Sequence, residues 1–141
     1  MSASSVVSDV LATLNAHDAD AGSRFIAPNA ELLDVPSGET FIGPAGLCQW
    51  WQECHTAYPD AHLDVLGLWE MNTGLTVVEL VERGTHQGPL VGPAGQEIAA
   101  TGRPVAIRMC LLAMVGGDRI TSARLYYDWV GIMAQLGLAE G

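Results

Sequence analysis

The chain has 141 residues, 49% of them apolar, and a net charge of -10. That length suffices for one domain with a sizeable core, and the apolar fraction excludes a disordered chain. The six basic residues are all arginines, too few and too scattered for the counterion displacement that nucleic-acid binding requires, and the lack of lysine excludes a lysine Schiff base.

No run approaches the roughly 18 apolar residues of a membrane-spanning helix. The opening MSASSVVSDV has neither the basic region nor the apolar core of a signal peptide, so the expected compartment is the cytoplasm, without membrane contact. Cys48, Cys54 and Cys110 show no zinc-type spacing and read as buried, reduced thiols, so no metal is expected.

In chain order, Ser4 or Ser5 can cap a first helix to about Asn15, with Val6, Val7, Val10, Leu11 and Leu14 at helical spacing. After a short connection a second helix runs to about Ile26, stopped by Pro28. A short strand over 31–35 and a Pro36-Ser37-Gly38 turn follow. Gly43-Pro44 opens a third helix carrying Leu47, Trp50, Trp51 and Cys54, and Tyr58-Pro59-Asp60 ends it. The period then changes to alternation, predicting strands over 62–70, 75–87, 105–115 and 119–128. Asn72-Thr73-Gly74 and Gly116-Gly117-Asp118 are hairpin turns. The Gly- and Pro-rich connection over 88–104 is long for a compact domain, as functional loops often are. Helices followed by a run of strands predict one α+β domain over 1–141.

Several segments in this order carry a resemblance: FIGPAGLCQWW, YPD before a strand, VVELVERGTHQGPLVG, ATGRPV, the GGDRI turn and YYDWVGIMAQLG. Together, over about residues 5 to 138, the chain resembles the SnoaL-like polyketide cyclase family, within the nuclear transport factor-like and ketosteroid isomerase-like α+β cones. The resemblance implies a strongly bent antiparallel or mixed sheet wrapped around the N-terminal helices, with an apolar cavity inside. It also implies a homodimer or homotetramer packed through the outer sheet face. Cyclases of this family close rings by intramolecular aldol condensation of aromatic polyketide intermediates, without metal or organic cofactor. Other members are linked to hydroxylation, epoxide hydrolysis or steroid isomerisation. Two positions depart from the cyclase pattern. Leu125 stands where those enzymes carry an acid/base Asp on the last strand, and about Leu111 where they carry a His. Ring closure of an aromatic polyketide is the leading expectation. Hydroxylation of an anthracycline-type precursor, epoxide hydrolysis, and a non-catalytic binding or assembly domain are the alternatives.

Within that frame His86 and Asp128 are the candidate catalytic groups. His86 ends the long central strand beside the loop, where an imidazole can exchange protons near pH 7. Asp128 stands between the last strand and a helix-like run, where it can act on substrate or accept hydrogen bonds from the first helical turn. Capping keeps such a carboxylate ionised, and if Leu125 and Tyr127 face the cavity, strand parity turns Asp128 away from it unless the strand bulges before the helix. Asp34, Trp50, Trp51, Met109, Leu111, Leu125 and Tyr127 are the expected substrate-binding residues. Trp50 and Trp51 are adjacent on a helix, so only one points fully inward. Glu79 and Glu82 lie three apart on a strand, so at most one faces a cavity, and each reads first as solvent-exposed or structural. Arg108 and Arg124 read as outer-face residues.

Overall fold

A computed structural model of the chain describes residues 1–138. Helices α1 (Ala3–Asn15) and α2 (Ala19–Ser23) come first, then β1 (Ile26–Asp34), β2 (Glu39–Ile42) and α3 (Gly43–Ala57). Strands β3 (His62–Glu70) and β4 (Leu75–Thr85) form a hairpin. The short pair β5 (Leu90–Val91) and β6 (Glu97–Ile98) lies in the long connection. Strands β7 (Pro104–Gly116) and β8 (Arg119–Tyr127) and helix α4 (Trp129–Gln135) complete the chain.

Six strands form one sheet in the order β2-β1-β8-β7-β4-β3. Strand β1 runs parallel to β8, and every other neighbouring pair in this sheet is antiparallel. The spine is the unbroken register of β4 against β7, from Leu75 opposite Met114 to Thr85 opposite Pro104. Register shifts between Val65 and Gly67, between Met114 and Val115, and between Ile26 and Glu31 add local twist and bend the sheet. The result is a curved, unclosed sheet packed against helices.

Alternation sorts the side chains of this sheet. On β4 the residues Val78, Leu80 and Glu82 are buried on the concave side, and on β7 the buried set is Val105, Ile107, Met109 and Ala113. Arg108 and Arg124 are exposed on the convex side, as expected from parity. Helix α1 supplies Val6, Val7, Val10, Leu11 and Leu14 to the core. Asn15, at its end, clasps the sheet through two hydrogen bonds with the Leu63 backbone, each 2.8 Å.

Three boundaries differ from expectation. Helix α1 is capped by Ser2, whose side chain accepts from the Ser5 N–H, because the helix starts at Ala3. Helix α2 ends at Ser23, and β1 already begins at Ile26 and carries Pro28. The proline falls in the stretch where β1 has slipped register against β8, so it interrupts no continuous ladder. Strand β2 escapes a reading by periodicity because only Phe41 of its four residues is buried.

The connection after β4 is tied down at its base. The His86 N–H donates to the Arg103 carbonyl, and the Gly102 N–H donates to the His86 carbonyl. The N–H groups of Gln87 and Gly88 both donate to Ala57 at the end of α3. A Cβ at Gly88 would collide with the Thr56 backbone carbonyl, an atom that cannot swing aside. Gly88→Ala should therefore lower stability by about 1–3 kcal/mol, read as a lower thermal unfolding midpoint.

Candidate active site

Between the concave sheet face, α3, α4 and the β5–β6 hairpin lies a cavity of about 550 Å3, within the rough range for small-molecule sites. Apolar and polar side chains share its lining, and beside the groups described next Ser37, Glu39, Glu53, Thr56 and Glu97 border it. Asp34 comes from the end of β1, Cys54 and Tyr58 from α3 and its C-terminal cap, Glu82 from β4, and Tyr127 from the end of β8. Leu90 and Val91 of the hairpin form part of the wall. Deeper in the cone is a smaller chamber of about 90 Å3, lined almost wholly by apolar side chains. The two spaces share Asp34, Phe41, Trp50, Met109 and Leu125 as walls.

Glu82 is 1% exposed, and its Oε1 has no hydrogen-bond partner. Burial pushes its carboxyl up to about 7; the Cys54 thiol beside it opposes this rise and the charge of Asp34 adds to it. Near neutral pH the group therefore holds and releases a proton with comparable ease, which is the condition for general acid–base work. Tyr58 is buried close by, and its hydroxyl also lacks a partner. Burial and then the Glu82 charge raise its pKa, so the phenol stays a hydrogen-bond donor. The Cys54 thiol is held well above its usual range, first by burial and then by the charge of Glu82, and so is not a thiolate nucleophile.

Asp34 is differently placed. The Tyr127 hydroxyl donates to both of its carboxylate oxygens, at 2.9 and 3.1 Å, and the Ser37 N–H donates to Oδ1 at 3.3 Å. Burial and the Asp34 charge raise the Tyr127 phenol. One carboxyl is thus pinned by partners while the other is desolvated and free to exchange its proton. Such a divergence of environments separates a binding group from an acid–base group.

Six of the expected site residues meet at this cavity. Asp34, Trp50, Met109 and Leu125 border both spaces, Leu111 borders the inner chamber, and Tyr127 borders the outer one. Three do not. Trp51 packs into the core at 4% exposure, because its neighbour Trp50 takes the cavity-facing side of α3. Asp128 is exposed, and its Oδ1 accepts the Gly131 N–H at 3.0 Å, capping α4. The strand continues unbulged to Tyr127, so parity turns Asp128 away from Leu125 and Tyr127. His86 is fully buried behind the cavity, at the base of the long connection. Its Nδ1 accepts the Thr101 N–H at 3.2 Å and lies 3.0 Å from Thr101 Oγ1, and burial lowers its pKa. These contacts tie His86 to the loop, while its Nε2 is buried without a hydrogen-bond partner. Glu82 and Tyr58 take the place in the cavity that the sequence reading had given to His86 and Asp128.

A model of the SnoaL-like polyketide cyclase family matches residues 5–136. The chain belongs to that family. Among solved structures it is similar to IdmH of Streptomyces antibioticus, described as a candidate polyketide cyclase. That likeness has 25% identity and a TM-score of 0.80, covering 97% of this chain and 99% of the other. It is also similar to AclR of Streptomyces galilaeus, described as a candidate hydroxylase, at 14% identity and a TM-score of 0.80, covering 98% and 97%. A Catenulispora acidiphila protein with a ketosteroid isomerase-like fold, solved with trimethylamine, aligns at 21% identity and a TM-score of 0.78, covering 94% and 92%. Among curated proteins no significant sequence match was found. This member of the SnoaL-like family therefore has the ketosteroid isomerase-like fold, with Glu82, a titratable cavity group, on strand β4 beside the edge strand β3.

Two outcomes follow from the site. Glu82 binds its proton more tightly folded than unfolded, so the folded state holds the extra proton between about pH 4.5 and 7. Stability must then fall as pH rises through that window, by about 3 kcal/mol at roughly 1.4 kcal/mol per unit. Denaturant titrations of Glu82→Gln against the parent at pH 4.5 and 8 should show this slope reduced in the variant. Asp128→Ala should cost about 0.5–2 kcal/mol of stability through loss of the cap, whereas Asp128→Asn should retain most of it. Thermal unfolding of both variants checks this.

Proposed function

We propose that this protein is a cofactor-independent ring-closing enzyme that acts on a polyketide-like intermediate by intramolecular aldol condensation, with Glu82 as proton acceptor and Tyr58 as oxyanion donor. The observation that carries the reading is a buried carboxyl without an ionic partner among the described residues, poised near neutrality at the wall of a ligand-sized cavity. The family membership and the likeness to a candidate polyketide cyclase support the same class of substrate.

The chemistry runs as follows. A C–H flanked by two carbonyls gives its proton to the Glu82 carboxylate, and the electron pair moves onto oxygen as an enolate. The unpartnered Tyr58 hydroxyl donates to that oxygen, with low local dielectric strengthening the bond. The enolate carbon attacks a second carbonyl of the same molecule, forming the C–C bond, and the new alkoxide takes its proton back from the Glu82 carboxyl. The cavity wall of Trp50, Met109 and Leu125 folds the chain so that the two carbons meet, and such orientation alone supplies several kcal/mol. Asp34, held by Tyr127, keeps the junction of β1 and β8 rigid at the cavity wall. The outer sheet face, where Trp69 and Tyr126 are exposed, is where a homodimer or tetramer would pack, and the cytoplasm is the proposed location.

A second reading is hydroxylation of a phenolic relative of that substrate by molecular oxygen, suggested by the apolar side chains of Leu111 and Leu125. Glu82 takes the phenol proton, one oxygen atom enters the ring, and the other leaves as water with two electrons and two protons supplied by a partner reductase or by the substrate itself. It is distinguished by the gain of one oxygen in the product mass.

Proton abstraction can be tested without the natural substrate. With benzoylacetone in deuterated buffer, the protein should accelerate exchange of the hydrogens between the two carbonyls, followed by proton NMR. Glu82→Gln should slow that exchange by about 10²–10⁴-fold, the usual span for a positioned acid–base group, and Tyr58→Phe should slow it by a smaller factor. An unchanged rate in Glu82→Gln overturns the assignment.

A further inference from the structure

We infer that the inner chamber is a binding subsite for a short hydrocarbon tail, so that the substrate enters tail first and leaves its oxygenated head beside Glu82. The inference rests on the proposed role of Glu82 only for which end of the substrate faces outward.

The chamber has walls from many elements, among them Val10 and Leu14 of α1, Leu80 of β4, Leu111 of β7 and Ala123 of β8. The polar side chain at its boundary is Asp34, and both carboxylate oxygens of that residue are already engaged by Tyr127. A water molecule needs two to four polar partners to be held in a cavity, so a space of this lining stays dry and favours apolar occupants. The outer cavity has the opposite character. Glu82 Oε1 and Tyr58 Oη are buried there and unpartnered, and both need an oxygen or a hydroxyl from a ligand. The shared walls at Phe41, Trp50, Met109 and Leu125 make the inner chamber the continuation of the outer one. One molecule can therefore satisfy both only if it is polar at one end and hydrocarbon at the other.

The size of the chamber limits the tail. At about 90 Å3 the chamber admits a short chain only. It is also smaller than the roughly 150 Å3 apolar cavity known to admit benzene. An unbranched propyl-sized group fits and a second aromatic ring does not. The substrate class is thus a phenolic or β-dicarbonyl head carrying a short alkyl terminus, with length read by the floor of the cone.

The test is a ladder of para-substituted phenols, from phenol through 4-methyl-, 4-ethyl-, 4-propyl-, 4-butyl- and 4-pentylphenol, with affinity measured by titration calorimetry. Affinity should rise by roughly fourfold per methylene, as expected for burial of hydrocarbon, as far as propyl, and then level off. Ala123→Leu, which fills the chamber, should end the rise at the methyl or ethyl compound. Leu111→Ala, which enlarges it, should carry the rise on to butyl or pentyl. Opposite shifts in the two variants separate a length gauge from a general loss of folding. A constant gain through pentyl in all three proteins, or no gain at any length, overturns the proposal. Running the ladder with Glu82→Gln separates it from the functional reading. Loss of a pH step near 7 in phenol binding, with the ladder intact, supports both. A pH step that survives the substitution counts against Glu82 as the proton acceptor and leaves the tail subsite standing.

Discussion

The structure depends on one constraint: a carboxyl group set among apolar side chains must either find a cation or give up its charge. Glu82 finds no cation. The nearest charged group acting on it is the carboxylate of Asp34, which makes ionisation harder still. The concave face of β4 is otherwise Thr76, Val78 and Leu80, all buried, so the strand surrounds Glu82 with a medium that solvates a proton-bearing carboxyl better than an anion. An energetic liability in the resting fold thereby becomes a reactive group at neutral pH. Strained or costly features of this kind concentrate where a protein acts on a ligand.

The surrounding residues serve that group in distinct ways. Tyr58 caps α3 with its backbone and lines the cavity with its side chain, so the helix end and a buried hydrogen-bond donor are fixed by the same residue. Asp34 and Tyr127 close the junction between β1 and β8, the one parallel contact in the sheet, where the ladder ends at Asp34 opposite Leu125. Their mutual hydrogen bonds satisfy two polar groups that would otherwise be costly to bury. The cavity is thus polar at the meeting points of elements and apolar along their faces.

Much of the architecture was legible in the chain. The switch from helical to alternating period at Tyr58-Pro59-Asp60 marked the change from α3 to β3, and the Gly-rich turns fixed the two hairpins. Strand β2 and the start of β1 were not legible, since the first has a single buried residue and the second passes through a proline. The site was only half legible. Parity left Asp128 open, because a bulge before the last helix would have turned it inward; alternation put Met109 on the inner face, and the family resemblance put Leu111 and Leu125 at the pocket. Parity did not choose between Glu79 and Glu82, because β4 is apolar on both faces: Val77 and Val81 alternate with Val78 and Leu80. The choice is made by tertiary packing, with α1 and α3 covering the face that holds Glu82. His86 misled for a related reason. A histidine beside a long loop has the same signature whether it meets substrate or fastens the loop, and only the Thr101 and Arg103 partners distinguish the two.

The way in which that loop is fastened has a consequence for diversification. Residues 86–88 and 101–103 are stitched together, and to the end of α3, largely by main-chain groups, with Gly88 needed for the close approach. Everything between the stitches, including the hairpin that walls the cavity, hangs from a frame indifferent to its length or composition. The roof of the chamber is in this sense an exchangeable part: selection can redraw the entrance without touching the titrating carboxyl beneath it or the core that sets its properties.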